Sequence, residues 1–512
     1  MPAQICRQRP HGLKRLFTSS SLGSLGPNSP SSPIHFFDRP SEYQKEMAQS
    51  MGTLTGPAKL AAVTELIDKL NKDLETVSLL PHQRDAALEE LKIYGRDPRN
   101  AEPIFTKTGI ETLARHAFNS PSSTTSRNAL RCLCNALLLK AETRQIFIDL
   151  KFEAKACLKL KNDNRDDEFL VSRILFLTTY AKANLQDLID QHHIAESIIK
   201  NLERHAKHAA SGAAPTDPME AMALIETLKL LFNITHYCRD KTSSFTQAIP
   251  PIVTLLCTGT YSNTRPKPLD APVVNLINAL LNLDLGSPDI HSSLYPAAEP
   301  RQFSDRLIDL LKSSSKAYND EELENNVTAL IGVIRGIHEY APGEVKTAIR
   351  VALLPTADDR KEVLGRGTTI ASWLLRNSTN PLTPQLREAI SELLFDMSDK
   401  DATTFVDNVG FGFASGFLYN RGLPVPNSAQ EAFADAEGEA QPVNPVTGQF
   451  LNSEQAPNVP EMTDAEKERE AERLYVLFER LRANGIISAE NPVRVAQQSG
   501  RFEELSDDDE LD

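Results

Sequence analysis

An asparagine keeps returning at one place in a leucine-rich run. The runs read Ala129-Leu-Arg-Cys-Leu-Cys-Asn135, Leu228-Lys-Leu-Leu-Phe-Asn233 and Val273-Val-Asn275-Leu-Ile-Asn278; Val171-Ser-Arg-Ile-Leu-Phe-Leu177 has the same shape with leucine at the asparagine place. Asn135 to Leu177 is 42 residues, Leu177 to Asn233 is 56, Asn233 to Asn275 is 42, and Arg335 to Asn377 is 42 again. A helical unit of this size cannot bury its apolar face alone, so it stacks on copies of itself. The chain is thereby confined to a linear array with a long concave face.

This interval is that of armadillo and HEAT repeats, and the expected fold is an all-α superhelical solenoid. Aromatic residues are only 6% of the chain and tryptophan occurs once, at Trp373, which suits Leu/Ala helix packing better than a β-rich core. A net charge of −14 argues against general nucleic-acid binding. No run approaches the roughly 18 apolar residues of a membrane span, and no secretory signal is visible. Cys6, Cys132, Cys134, Cys157, Cys238 and Cys257 form no CxxC pair and read as reduced thiols of a cytoplasmic protein. Cys132 and Cys134, two apart on one helix, point to opposite sides.

Residues 1–50 carry early basic residues and then Ser, Pro and Gly, which reads as a disordered extension; a transit peptide, or a true start at Met47 or Met51, are the alternatives. The solenoid is expected over 51–423, opening at Pro57 with Leu60, Val63, Leu66, Ile67 and Leu70 on one face. Ala206–Pro218 and Ser313–Asn319 look like loops inserted where the spacing stretches to 56 and 60. Residues 424–462 are Pro-rich and read as a linker. Over 463–485, Thr463-Asp-Ala-Glu466 forms a capping box, and Leu474, Leu477, Phe478 and Leu481 form one apolar stripe that must be buried on the solenoid or on a partner. Residues 486–512 end in an acidic tail, where Ser506 before three aspartates suits an acid-directed kinase.

Signatures of catalysis are missing. Gly365-Arg-Gly367-Thr-Thr lacks the lysine and spacing of a phosphate loop, and Gly410-Phe-Gly412-Phe-Ala-Ser-Gly416 has a misplaced third glycine and reads as a tight turn or close packing. His205 and His208 share a helix face and are expected in solvent. No enzyme, cofactor or metal chemistry is expected. Each recurrent asparagine has two readings: an amide tying down a neighbouring turn, or a rung of an amide ladder holding a bound segment in the groove. Lys92 and Arg96, four apart, can share a helix face and meet a carboxylate.

The chain resembles the synembryn (resistance to inhibitors of cholinesterase) family of chaperones and exchange factors for heterotrimeric G-protein α subunits. The likeness spans about 57–488. It is carried by Leu353-Leu-Pro355, Asp359-Arg360 and Leu364-Gly365 leading to Leu374-Leu-Arg376, and by Phe405 through Gly410-Phe-Gly412 to Arg421-Gly422-Leu423. Further along it rests on Asn444-Pro-Val-Thr-Gly448 and on Met462-Thr with Lys467-Glu, Glu470-Ala471, Leu474 and Phe478. The resemblance implies a mixed armadillo/HEAT solenoid whose groove grips the Gα C-terminal helix at Lys92, Arg96, Asn135, Asn233, Asn275 and Arg335. It also implies that the 463–485 helix embraces the Gα nucleotide-binding domain through Leu474, Leu477, Phe478 and Leu481, in its GDP-bound or nucleotide-free form, and that Gα brings the protein to the cell cortex. Family members often carry an acidic, hydroxyl-rich stretch before the Asn-Pro-Val-Thr-Gly segment. Here it has one hydroxyl, Ser428, so phospho-regulation falls on Ser428 or is displaced to Ser506. A nuclear-import adaptor would need a tryptophan beside each asparagine, which one tryptophan cannot supply. A scaffold that binds Gα without exchange remains the main alternative.

Overall fold

The computed structural model describes residues 54–212, 217–259, 266–424, 432–434, 440–444 and 447–454, with single positions from 463 to 476. It divides into two compact units, Met1–Asn452 and Ser453–Asp512. The expected extension over 1–50, the kinase candidates Ser428 and Ser506, and the acidic tail lie outside the described residues. So do Leu474, Leu477, Phe478 and Leu481 and the Glu466 half of the capping box, although Arg469, Glu472, Arg473, Tyr475 and Val476 are helical.

The first unit is a run of helices. α1 (Gly56–Thr76) carries Pro57 in its first turn, α2 (Pro81–Tyr94) begins at a proline, and α3 (Lys107–Asn119) and α4 (Ser123–Leu139) are capped by Thr106 and Ser122. Thr106 and Ser122 each accept a first-turn amide on a side-chain hydroxyl, the usual start signal. α5 (Glu142–Asp149), α6 (Glu153–Leu160), α7 (Arg165–Thr178), α8 (Leu185–Asp190) and α9 (Ile194–Ala210) follow. Next come α10 (Pro218–Tyr237), α11 (Ile249–Cys257), α12 (Val273–Leu281), the short α13 (His291–Leu294) and α14 (Gln302–Ala317). The last are α15 (Asp320–Tyr340), α16 (Gly343–Leu353), α17 (Ile370–Asn377), α18 (Pro384–Met397), α19 (Ala402–Val409) and α20 (Phe411–Asn420). α15 opens on a full capping box, in which Asn319 and Glu322 satisfy each other's amides.

Helices pack in two layers. One is the ladder α2–α4–α7–α10–α12–α15–α18, each rung against the next; α3, α6, α9, α11, α14 and α16 with α17 back it. One apolar core runs through both layers, from Val63 to Leu418. The all-α solenoid is therefore the observed architecture. Its only sheet among the described residues is an antiparallel pair, β1 (Ala432–Ala434) and β2 (Ala440–Pro442).

Three expectations shift. The run Ser313–Asn319 is not a loop, because α14 continues to Ala317 and leaves only two residues before α15. The extra length sits instead between α12 and α14, in turns and α13. Asn377 ends α17 in the backing layer, so its 42-residue distance from Arg335 on α15 does not join equivalent places. The Pro-rich linker is partly packed: Val443, Gly448, Gln449 and Phe450 are buried in the first unit.

Gly109 fixes how α3 meets the turn before it. A Cβ there would fall 2.1 Å from the Pro103 carbonyl oxygen, a backbone atom that cannot swing aside. Gly109→Ala is expected to destabilise the protein by at least about 1–3 kcal/mol, read as a lower thermal unfolding midpoint. An unchanged midpoint would contradict this packing.

Candidate functional site

The open side of the ladder at α7 and α10 carries a stripe that a stable core does not require. Phe169, Arg173 and Phe176 of α7 and Ile225, Lys229 and Phe232 of α10 recur every three or four residues and are all half-buried. Tyr180 and Tyr237, just past α7 and at the end of α10, are exposed. The Lys229 ammonium lies 5.8 Å from the centre of the Phe176 ring, and Phe176 meets Tyr180 edge-on at 5.3 Å. Phe232 stacks on His236 at 5.9 Å. Burial, with Arg239 nearby, holds His236 below the usual histidine range, so it is a neutral aromatic partner at pH 7. Arg173 and Lys229 both reach the buried Glu226, at 3.0 and 2.9 Å. The stripe ends at an open pocket of about 530 Å³ between Tyr180, Asn184, Leu185 and Tyr237. Aromatic faces with desolvated cations beside them suit an amphipathic helix.

The residues expected to bind divide into three sets. Lys92 and Asn135 are brought together, since the Asn135 amide donates to the Lys92 carbonyl at 3.4 Å. Arg96 is exposed, but α2 stops at Tyr94, so Arg96 stands on the following turn and not on one helix face with Lys92. That turn is held by Lys59, whose buried ammonium donates to the Asp97 and Arg99 carbonyls at 2.8 Å each. Asn233 is buried and donates to the Thr179 hydroxyl at 2.7 Å, beside Tyr180.

Asn275 and Arg335 sit differently. Asn275 lies in the first turn of α12, not late, so the 42-residue register slips by two turns there. Asn282 holds the equivalent place: its amide donates to the Phe232 carbonyl at 3.1 Å, as that of Asn135 does to Lys92. The Asn275 Oδ1 is buried without a hydrogen-bond partner among the described residues. Arg335 is buried, with its Nε 2.5 Å from Asp396 and its Nη1 paired to Glu392, which also receives Arg421. Three of the amides thus tie one rung to the previous one, the structural reading of the repeat. Phe176 and Phe232 escaped the sequence reading although both stand immediately before the recurrent position.

Behind the stripe, a buried ionic knot clamps α7 to α10. His205 of α9 is 2% exposed and contacts Glu168 of α7 at 3.0 Å, with Glu220 of α10 at 3.8 Å. It is therefore not solvated. Arg204 also pairs with Glu168, Thr227 donates to Glu168 at 2.7 Å, and His208 and Arg165 reach Glu220. Burial disfavours the His205 cation, but the two carboxylates outweigh it and raise its pKa above 6.5. Burial opposes the Glu168 carboxylate too, yet His205, Thr227 and Arg204 hold its pKa down; Glu220 is lowered first by His205. Burial pushes the Cys132, Cys134 and Cys157 thiols up to about 12, which leaves them protonated and unreactive. Cys132 and Cys134 do point opposite ways, to the Leu88 carbonyl of α2 and the Leu170 carbonyl of α7. No helix among the described residues is long and apolar enough to cross a membrane.

The fold is that of a helical-repeat protein. The model of the family "guanine nucleotide exchange factor synembryn" matches residues 87–501, and the chain belongs to that family. It is similar to the chaperone Ric-8A of Xenopus tropicalis, 26% identical over 500 residues covering 86% of this chain and 88% of that one. It is also similar to a synembryn-like chaperone of Schizosaccharomyces pombe, 24% identical over 386 residues covering 71% and 70%. Among solved structures, an engineered protein aligns with a TM-score of 0.41 and 16% identity, covering 72% of this chain and 86% of its own.

The ionic knot sets a pH signature. The raised His205 pKa contributes stability that is complete below pH 6.5 and is lost as pH rises through the folded value; the lowered Glu168 and Glu220 pKa values contribute stability present above about pH 4.5 and lost on acidification. The unfolding midpoint should therefore decline from pH 6.5 into the alkaline range. His205→Gln should lower stability at pH 6 by about 1–3 kcal/mol, because it leaves a buried carboxylate less well paired. It should also flatten that alkaline decline; an unaltered slope would refute the assignment.

Proposed function

We propose that this protein is a guanine nucleotide exchange factor and folding chaperone for heterotrimeric G-protein α subunits, gripping the Gα C-terminal helix along the α2–α4–α7–α10 face. The observation that carries the reading is the half-buried aromatic and cationic stripe on α7 and α10, in a chain that belongs to the synembryn family. An amphipathic helix supplies apolar side chains to Phe176 and Phe232. A terminal carboxylate is complementary to Lys92 and Arg96 at the far end. Asn135 and Asn233 hold the rungs beneath, and Asn275 and Arg335 act from within the array. The helix over 463–485, through Leu474, Leu477, Phe478 and Leu481, supplies the second contact, and Ser506 and Ser428 are the places where an acid-directed kinase would act.

The mechanism needs no covalent step. A ligand moves an equilibrium only by its differential affinity for the two states. Holding the C-terminal helix favours a loosened, nucleotide-free Gα, from which GDP has left; GTP closes Gα and weakens the grip. The same preference protects a partly folded Gα, which is chaperoning by mass action.

The test is GDP release from a purified Gα, with and without this protein, repeated on Gα lacking its last residues. Acceleration that disappears on truncation is expected. Phe176→Ala and Phe232→Ala should each weaken binding about tenfold, since an aromatic anchor contributes on the order of 1–2 kcal/mol or more. A stable complex without faster release would make the protein a scaffold or pure chaperone, and no complex at all would end the reading.

A further inference from the structure

Among the described residues, Arg360 is the largest side chain that is fully buried. It sits in a single turn between α16 and α17, within the Asp359-Arg360 block that marked the family resemblance. Its guanidinium donates to three backbone carbonyls. Nη1 reaches Gly448 at 3.0 Å, and Nη2 reaches Asp407 at 2.7 Å and Asn408 at 3.0 Å. The last two are end-of-helix carbonyls of α19, where a cation is favoured. The Arg360 carbonyl in turn accepts the Phe450 amide at 2.8 Å.

Residues 443–444 and 447–450 form a strap closed on itself. Asn444 N donates to the Gln449 carbonyl at 2.8 Å, Gly448 N to the Asn444 carbonyl at 2.8 Å, and Thr447 N to the Asn444 side chain at 3.3 Å. The strap is also tied from the solenoid side. Leu364 N donates to the Thr447 carbonyl at 3.2 Å, and the Gln449 amide donates to the Lys361 carbonyl at 3.1 Å. Gly448 is required twice. Its φ is +68°, and a Cβ would fall 2.4 Å from Leu364 Cδ1. Two blocks of the chain, 88 residues apart, thus form one latch.

The strap ends two residues before the second unit begins at Ser453. Burying a guanidinium is costly, and burial lowers the Arg360 pKa to about 10. That cost is offset at the three carbonyls, which an apolar side chain of the same volume would leave without this donor. We infer that Arg360 is a positioning residue: by clamping the strap of 443–444 and 447–450 onto α19, it fixes the last part of the first unit, from which the chain runs on toward 463–485. This rests on the proposed function for what residues 463–485 do, namely make the second contact with Gα. An arm leaving a fixed point has a high effective concentration at its second contact, and one leaving a loose tether does not.

Arg360→Met removes the donors at similar volume, and Gly448→Val breaks the strap from the other side without touching the arginine. Hydrogen exchange on the full-length variants should show faster exchange, by tenfold or more, at Leu364, Gly448 and Phe450, with α4, α7 and α10 unchanged. In the same preparations, stimulation of GDP release from Gα should fall at least fivefold, while affinity for a synthetic peptide of the Gα C-terminus stays within twofold of wild type. Protection retained in Arg360→Met would show that Arg360 is not the clamp. Protection lost in either variant with full stimulation would show that the strap positions nothing. Where Arg360→Met fails to fold, Gly448→Val decides. A wild-type protein that neither binds the peptide nor stimulates release would remove the Gα reading, while the exchange measurement would still decide whether Arg360 clamps the strap.

Discussion

Everything in this molecule depends on one rung of the ladder meeting the next in register. Apolar burial supplies most of the free energy of such stacking, but it is non-directional and would tolerate a slip of one turn. Polar pairs between rungs do not. Arg127 of α4 meets Asp167 of α7 at 3.0 Å, and Arg131 meets Asp166 at 3.3 Å. Arg173 of α7 meets Glu226 of α10 at 3.0 Å, and Arg335 of α15 meets Asp396 of α18 at 2.5 Å. In each case the cation lies on the earlier rung and the carboxylate on the later one. Half-buried pairs of this kind add little net stability, because desolvation offsets much of the attraction. Their consequence is geometric: a one-turn slip would strand a buried carboxylate, which is far more costly than losing an exposed pair.

The amides play the same part more cheaply. Asn135 and Asn282 each reach a backbone carbonyl near the end of the previous rung, and Asn233 reaches the Thr179 hydroxyl. A side-chain amide can reach across only from a late helical position, which is why the recurrence was visible in one sequence without its neighbours. Asn275 was misplaced for a physical reason. In α12 the run Val273-Val-Asn275-Leu-Ile-Asn278 starts at the helix N-terminus, so the same letters occupy the first turn. Apolar periodicity reports a face and not a height along the axis. It therefore identified the all-α array, but not the register of each rung.

Features that depend on contacts between distant segments were less legible. Nothing local marks His205 as buried, because the partners that hold it, Glu168 and Glu220, come from two other helices. Read alone, residues 424–462 looked like a linker by their prolines, yet Val443 and Phe450 bridge and bury against a turn far upstream. The groove aromatics were legible in principle. Phe176 and Phe232 precede the recurrent position in two runs, and both are half-buried on adjacent rungs. Lys92 and Arg96 stand on either side of the end of α2, and Lys59 holds the turn that follows through the Asp97 and Arg99 carbonyls.

An exchange factor built this way has to satisfy two demands that conflict in a compact enzyme. It must bind tightly enough to favour a loosened partner, yet release that partner once nucleotide returns, so its affinity must reside in contacts that exist in only one partner state. A solenoid meets this by dividing the grip. On the reading proposed here, the stripe on α7 and α10 holds one helix of the partner, and the ionic knot of Glu168, His205 and Glu220 stiffens the same two rungs from behind, so the stripe does not yield when the partner pulls away. On the same reading the second contact belongs to residues 463–485, and Arg360 holds the strap that precedes them.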